Sequence, residues 1–506
     1  MGGMSDADSA DSATTDGRPP GDAPVARERA APAAPAHTGP PLWFVVLAAC
    51  VGQFLVVLDV AVVNVALPSV QAELGMDAAA LQWVVNAYSL TFAGFMLLGG
   101  RAGDIFGRKR VFLLGLGVFT AASLAGGLAQ EPWQLVAARA VQGVGAATLA
   151  PVTLSLLTTS VPEGPARHRA IGTWTAVGAG GGAAGGVVSG VLTDAFSWRW
   201  VLLVNVPIGG LALIGATLWL VESRTGDGRR LDLSGAVLVT AGLSAVAYGI
   251  VQTESASWTA PATLVPLLGG ALLLAAFLLV EARSRAPLMP LRLFRMRAVT
   301  TANTAMFVCG AAMVSSWYFL TLYMQNVLEL SPLQAGLGFI PHSTTIVLGS
   351  KLAPRLMVWA GARGLAMAGA LVAAAGYLWQ SAAMAEDGGY AATVLGPGIT
   401  MMLGAGLLAT PLASLATSGA PQQDAGIVAG LVNTARTMGG ALGLAVLSTV
   451  AAARIGGGDA PEVLASGYAT AFRTGSVVLV LCAALMLLTL PRDPFSPARA
   501  SVRGRR

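Results

Sequence analysis

The sequence predicts an all-α membrane protein with fourteen transmembrane helices, arranged as two six-helix halves with two helices inserted between them. Three observations carry this expectation. Of the 506 residues 55% are hydrophobic and only 11% charged, and mean hydropathy is +0.69, a balance that no soluble fold can hide from water. Fourteen segments are long and apolar enough to cross a hydrocarbon core of roughly 30 Å, which takes about 20 residues of helix. Finally, short motifs recur eight helices apart.

The spans follow in order between turn and charge clusters. Helix 1 covers 43–67 and helix 2 covers 81–100, ended by the charged, glycine-containing stretch that begins at Gly100. Helix 3 covers 111–130, helix 4 134–159, helix 5 169–192 and helix 6 199–221. Helices 7 (233–251) and 8 (262–281) form the insertion, and an arginine-rich connection leads to helix 9 at 299–325. Helices 10 (334–358), 11 (363–382), 12 (390–417), 13 (425–452) and 14 (470–491) complete the second half. The halves are therefore 42–221 and 299–491, with the inserted pair at 231–281. Residues 1–40, rich in Ala, Pro, Asp and Ser, read as a disordered tail without the apolar core of a signal peptide, and 492–506 as a basic tail.

Cationic residues set the orientation. Arg101, Arg108, Lys109, Arg110, Arg167, Arg169, Arg224, Arg229, Arg230, five arginines between Arg283 and Arg297, Lys351, Arg355, Arg363 and those of both tails make 25 of the 30 Lys and Arg. All fall on one side. Only Arg199, Arg454 and Arg473 fall on the other, so both termini are expected in the cytoplasm, as an even helix count also requires. Arginine outnumbers lysine 28 to 2, which suits a GC-rich bacterial genome and hence a bacterial plasma membrane.

Several function classes are disfavoured. The basic residues are dispersed between apolar runs, which argues against nucleic acid as a partner. Cys50, Cys309 and Cys482 lie in separate apolar runs, and His37, His168 and His342 lie far apart, so neither a metal site, a disulfide nor an enzyme's catalytic cluster is expected. No connection exceeds about 20 residues, so chemistry must reside among the helices. "GGGAAG", from Gly180 to Gly185, matches GxGxxG, but it follows no strand and lies inside an uncharged span, so it is not a nucleotide loop. A linker there would leave backbone groups unpaired in lipid. A helix with a glycine face, able to pack at backbone distance, remains.

Helix 4 carries "GVGAATLAPVTLSL" from Gly143 and helix 12 "GAGLLATPLASL" from Gly404. Gly107 and Arg108 after helix 2 match Gly361 and Arg363 after helix 10. Parallel repeats of this kind place a binding site between the halves and let them rock about it.

"GRAGDIFGRKR", from Gly100 to Arg110, resembles the signature loop of the major facilitator superfamily, with Ala102 and Ile105 departing from its usual residues. "LDVAVVNVALPSV" from Leu58, "RAVQGVGAA" from Arg139, "WRWVLLVNVPIGG" from Trp198, "YMQNVLELSPLQAGLGFIP" in helices 9 and 10 and "GLVNTARTMGGALGLAVL" in helix 13 are similar to the fourteen-helix drug:proton antiporter branch. The resemblance covers about residues 42–492. It implies a charge latch of Asp104 with Arg108 in a loop that also holds Gly100, Gly107, Lys109 and Arg110, and proton coupling at Asp59 and Arg139. It also implies an antiporter glycine helix with Gly172, Gly181, Gly185 and Gly190, in which Gly186 replaces a proline and Ser189 a glycine.

Physics singles out two of these residues independently. Asp59 is the one carboxylate well inside a span, and Arg139 is one of two such cations, the other being Arg436. A charge at a helix centre costs roughly 2.5–3.5 kcal/mol on insertion scales and normally faces a partner or a cavity. Asp59 is the first choice as proton carrier, against a purely structural aspartate. Arg139 would pair with Asp59 or with a bound anion. Arg436 is either a cavity counter-charge or a packing residue of the repeat, and His342 either assists proton movement or is a hydrogen-bonded lining residue. Aromatic and amide residues suited to a cavity for bulky compounds are Asn86, Tyr88 and Trp83 on helix 2, Trp174 on helix 5, and Trp317, Tyr318, Tyr323 and Gln325 on helix 9. The expected function is proton-coupled export of a small hydrophobic or cationic drug or antibiotic, with no cofactor and the proton gradient as driving force. The alternative is a proton-coupled importer or exporter of one metabolite.

Overall fold

The computed structural model describes residues 42–223, 231–284, 287–385, 388–418, 420 and 424–490. The two tails, Arg224, Arg229, Arg230 and Arg285 lie outside the described residues. Within them the chain is helical, as expected of backbone that must satisfy its own N–H and C=O groups in lipid. The spans are α1 Leu42–Leu74, α2 Ala78–Phe106, α3 Arg108–Gly127, α4 Pro132–Ser160, α5 Pro165–Ala195, α6 Arg199–Trp219, α7 Leu233–Val251 and α8 Pro261–Arg283. Then follow α9 Arg297–Val327, a single 52-residue run Pro332–Ala383, α12 Ala391–Thr417, α13 Ile427–Ile455 and α14 Pro461–Thr489.

Among the described residues these are thirteen membrane-length runs, but the 52-residue run is not one helix. It breaks at Gly361, whose φ of 71° and ψ of 161° no helix contains, and so holds two spans, α10 (332–360) and α11 (362–383). Gly107, its counterpart in the first half, has φ 103° and separates α2 from α3 in the same way. Both positions lie where L side chains are disfavoured, so glycine is what permits each sharp reversal.

Two boundaries depart from expectation. α1 runs on to Leu74, through Pro68, because a proline removes only one helical hydrogen bond and the helix can absorb that loss. α14 begins at Pro461 and not near 470. Its first turns are too polar for a hydropathy window, yet they bury Ala465 and Tyr468, whose ring packs 5.7 Å from that of Phe319. Starts are marked by proline in the first turn of α4, α5, α8, α10 and α14 and by capping boxes at Glu131/Gln134 and Ser331/Gln334, as orphan N–H groups require.

The first half packs α1 on α5, α2 on α4 and α3 on α4; the second packs α9 on α13 and α10–α11 on α12 and α14. Between halves, α13 lies along α2 and the start of α10 along α5. The inserted α7 rests against both α2 and α13, where Trp83 and Tyr248 rings lie 6.1 Å apart. α8 packs on α7 and otherwise faces outward. The conspicuous "WRW" motif is an anchor: Trp198 Nε1 donates to Glu73 Oε2 at 2.8 Å, Arg199 pairs with the same carboxylate, and the end of α1 is thereby tied to α6.

Gly361→Ala is expected to destabilise by about 1–3 kcal/mol through backbone strain. Gly364→Ala, in helical backbone with no neighbour nearer than 3.9 Å, should be neutral or slightly stabilising. Thermal unfolding of the solubilised variants compares the two, and equal melting would refute the strain argument.

Candidate functional site

Asp59 on α1 is fully buried and meets Arg139 of α4, itself 2% exposed, at 2.5 Å between Oδ2 and a guanidinium NH. A buried ion pair recovers its desolvation cost only when the remaining lone pairs and protons are also satisfied. Here they largely are. Asp59 Oδ1 accepts from Gln142 Nε2 at 2.7 Å and Asn205 Nδ2 at 3.1 Å. Arg139 also donates to Gln142 Oε1 at 2.6 Å and, through Nε, to the Val84 carbonyl at 3.1 Å. Ser123 Oγ takes a second Gln142 proton at 2.7 Å and passes its own to the Phe119 carbonyl. The carboxylate thus faces donors only, an arrangement that suits its ionised form. Four helices, α1, α3, α4 and α6, converge on this one charge.

Tyr88 belongs to the same cluster. Its ring lies 4.3 Å from the Arg139 guanidinium, a cation–π contact, and is stacked on Phe92. At 2% exposure it lines no substrate space, and neither does Asn86, which is fully buried. In this conformation both are enclosed within the first half, and the Asn86 amide and the Tyr88 hydroxyl make no hydrogen bond there. Sequence reasoning singled out neither Gln142, Ser123 nor Asn205. Gln142 stands three residues after Arg139, on the same helix face, and was the one legible partner.

In the loop at Gly100–Arg110 the Asp104 and Arg108 side chains pair. Arg108 donates to Asp104 Oδ1 at 2.7 Å and to Ser155 Oγ of α4 at 2.6 Å. Gly99 and Gly103 let α2 lie against Ala147 and Val152, and Gly100 faces Pro151. The residue sequence reasoning missed is Glu222, just beyond α6. Its carboxylate accepts from the Lys109 and Arg110 amides at 3.1 and 3.2 Å, capping α3, and lies 3.7 Å from Arg110 Nε. A Cβ at Gly107 would strike that carboxylate. Lys109 Nζ reaches the Thr217 carbonyl at 2.8 Å, and Arg101 donates to the Pro287 carbonyl beyond α8.

The glycine helix, α5, divides its glycines between two partners. Gly181 and Gly185 pack on Phe54 and Ala61 of α1. Gly186 and Gly190 instead meet the other half, where a Cβ on Gly186 would come within 3.0 Å of the Gly336 carbonyl and one on Gly190 would lie 2.8 Å from that of Pro332. Backbone meets backbone there, which accounts for glycine where the motif carries proline. Neighbouring bonds close the same end: Ser189 Oγ to the Val62 carbonyl at 2.5 Å, Asp194 Oδ2 accepting from Ser331 Oγ at 3.1 Å and the Leu333 amide at 3.2 Å, and Gln325 Nε2 to the Val65 carbonyl at 2.8 Å. Gly172 touches nothing, and Gly172, Thr173, Thr175, Ala176, Ala179 and Gly180 are exposed. The halves are joined at the Asp194 end, and toward its other end α5 is exposed.

Most remaining cavity candidates serve packing. Trp174 Nε1 donates to Thr153 Oγ1 at 3.1 Å, Tyr323 is fully buried with its hydroxyl on the Ala385 carbonyl at 2.7 Å, and Tyr318 is 2% exposed beside Phe319. His342 is buried with Nδ1 3.0 Å from the Gly338 carbonyl, edge-on to Phe339 and tilted against Trp317. Polar atoms of aromatic side chains in apolar surroundings need a partner, and Trp174 Nε1 and the Tyr323 hydroxyl find one inside the protein, whereas His342 Nε2 is buried without one. Gln325 is the inter-half contact described above. Arg436 borders a cavity of about 40 Å³, within the second half.

A sequence model of the Major Facilitator Superfamily matches residues 49–444. The cephamycin export protein of Amycolatopsis lactamdurans is 51% identical over 88% of this chain and 91% of its own. The puromycin resistance protein of Streptomyces alboniger is 39% identical over 89% and 92%, and the lincomycin resistance protein of Streptomyces lincolnensis 34% over 82% and 86%. Among solved structures, an inward-facing, unoccupied bacterial homologue of the human lysosomal transporter Spinster aligns with TM-score 0.62 at 17% identity, over 88% of this chain and 96% of that one. An auto-inhibited peptide transporter aligns with TM-score 0.66 at 16% identity, over 90% and 98%. These two show the shared fold.

Two outcomes are expected from this geometry. Arg139→Leu strands a buried carboxylate and should destabilise by about 3–5 kcal/mol, while Asp59→Asn combined with Arg139→Leu regains most of it; a double variant no more stable than Arg139→Leu alone would refute the pairing. Gly186→Leu should hold the sealed end apart, so that a cysteine introduced as Leu333→Cys in the solubilised protein reacts several-fold faster with maleimide than in the Gly186 background. Unchanged labelling would show that Gly186 is no part of the seal.

Proposed function

Because the chain belongs to the major facilitator superfamily, we propose that it exports an antibiotic-like small molecule across a bacterial plasma membrane in exchange for protons, by alternating access, with both termini in the cytoplasm. Membrane transport itself, and not enzymatic chemistry, follows from the family; drug efflux is the direction in which the export and resistance relatives point.

The observation that carries the proton step is the fully buried Asp59, held by donors alone and placed on the segment of α1 that seals the halves. Two residues on, Ala61 touches Gly185; three on, the Val62 carbonyl takes the Ser189 hydroxyl; six on, the Val65 carbonyl takes Gln325 of the second half. A proton arriving on Asp59 removes its charge and one acceptor site, so Arg139 is left as an unanswered buried cation and the donor facing the protonated oxygen must turn elsewhere. Rearrangement of that α1 segment is then transmitted to the sealed end without any further messenger. Loss of the proton restores the donors-only arrangement seen here. One proton moving with the membrane potential supplies about 2.3 kcal/mol per 100 mV, comparable to the rearrangement of a few buried hydrogen bonds.

The test uses everted membrane vesicles. An exporter accumulates an antibiotic such as puromycin when the vesicle interior is acidified, whereas an importer does not. Asp59→Asn should lower gradient-driven accumulation at least tenfold with unchanged protein level. Accumulation at the wild-type rate in that variant, or indifference of the wild type to the imposed gradient, would remove the proton from the mechanism.

A further inference from the structure

Basic residues within the spans differ in how they are answered: Lys351, Arg355 and Arg473 are exposed, whereas Arg139 and Arg436 are not. Asp59 and Arg139 cancel in the first half. In the second half Arg436 stands well inside α13, and among the described residues it forms no ion pair. Its hydrogen bond runs to Asn433 Oδ1 at 2.8 Å. Nor can it withdraw. Its own carbonyl is pressed on Gly310 of α9, and Gly439 and Gly443 repeat that close approach against Phe307 and Ala311. The half-buried guanidinium borders the cavity noted above, with Met306, Met313, Met401, Met402 and Tyr377 around it.

We propose that Arg436 anchors a carboxylate of the transported compound, so that the substrates are organic anions with an apolar body. A cation at mid-membrane costs roughly 2.5–3.5 kcal/mol, and Arg139 offsets that cost with a carboxylate of the protein. Arg436 has none, and the fork of a guanidinium matches a carboxylate in two parallel hydrogen bonds. Four methionines supply an adaptable, polarisable wall for varied apolar bodies, and Tyr377 adds a hydroxyl. A cavity of about 40 Å³ admits little more than a water molecule or a carboxyl group. The body of the compound therefore lies beyond it, toward the first half, where Asn433 Nδ2 contacts Met96 Sδ of α2 at 3.2 Å. A cationic drug would meet unanswered positive charge at this site, so the cationic part of the sequence expectation is set aside.

This inference rests on the export reading for its biological meaning, but binding can be measured without a gradient, so the two fail separately. Full-length protein in detergent is melted with matched probes: 1-naphthylacetate, its neutral amide and the corresponding 2-naphthylethylammonium cation, together with fusidate and its methyl ester. Both carboxylates should raise the melting temperature by about 2 °C or more at saturation, and the amide, ester and cation by less than half as much. Arg436→Gln should abolish the carboxylate shift, and Arg436→Lys should keep part of it, which separates loss of charge from loss of fold. The proposal is overturned if neutral or cationic probes stabilise equally, if neither carboxylate stabilises the wild type, or if the shift survives Arg436→Gln. A normal carboxylate shift combined with failure of proton-driven accumulation would overturn the export reading and leave the site standing.

Discussion

A carboxylate buried from solvent must be answered by the protein itself, and the first half is built around that demand at Asp59. The answer draws Arg139 and Gln142 from α4, Ser123 from α3 and Asn205 from α6 to a single point on α1. Each donor fixes the rotation of the helix that carries it. The pair therefore does more than neutralise charge: it sets the register in which α1 presents Ala61, Val62 and Val65 to its neighbours. Were Asp59 simply a leucine, these helices would retain their apolar surfaces but lose the shared point that aligns them.

Close approach is the second constraint, and glycine meets it differently at each place. On α5 the same helix uses Gly181 and Gly185 against its own half and Gly186 and Gly190 against the other. One side of the helix is thus permanent packing and the other a contact that must break and re-form in a transport cycle. Apolar backbone contact suits that second task, because van der Waals attraction without a salt bridge leaves no buried charge stranded when the surfaces part.

The number and order of spans were legible, since length and hydropathy are summed over 20 residues and tolerate local error. Their ends were less so: Pro68 sits inside α1 where a window stops, and Pro461 starts α14 among residues too polar to register. Asp59 and Arg139 stood out because charge in an apolar run is rare. Their partners did not, since Ser123 and Asn205 are ordinary polar residues whose meaning depends on which neighbour they face. The same ambiguity placed Tyr88, Asn86 and Tyr323 on a cavity wall, whereas in this conformation all three are enclosed. An aromatic residue in a sequence says that surface will be buried, not by what. Glu222 and Glu281 escaped for a related reason, standing at helix ends where acids are common; Glu281, 3% exposed, accepts the Leu288 and Met289 amides at 3.1 Å each.

The inserted helices give the molecule an asymmetry that its two similar halves would otherwise lack. α7 is wedged against α2 and α13 and carries α8 on its back, so the seam between halves is roofed on that flank. Among the described residues the opposite seam, between α5 and α10, has no such cover. Lipid therefore borders the dividing plane along one edge only, like the fore-edge of a book whose spine is bound. Any amphiphile that reaches the plane sideways from a bilayer leaflet has a single margin by which to enter.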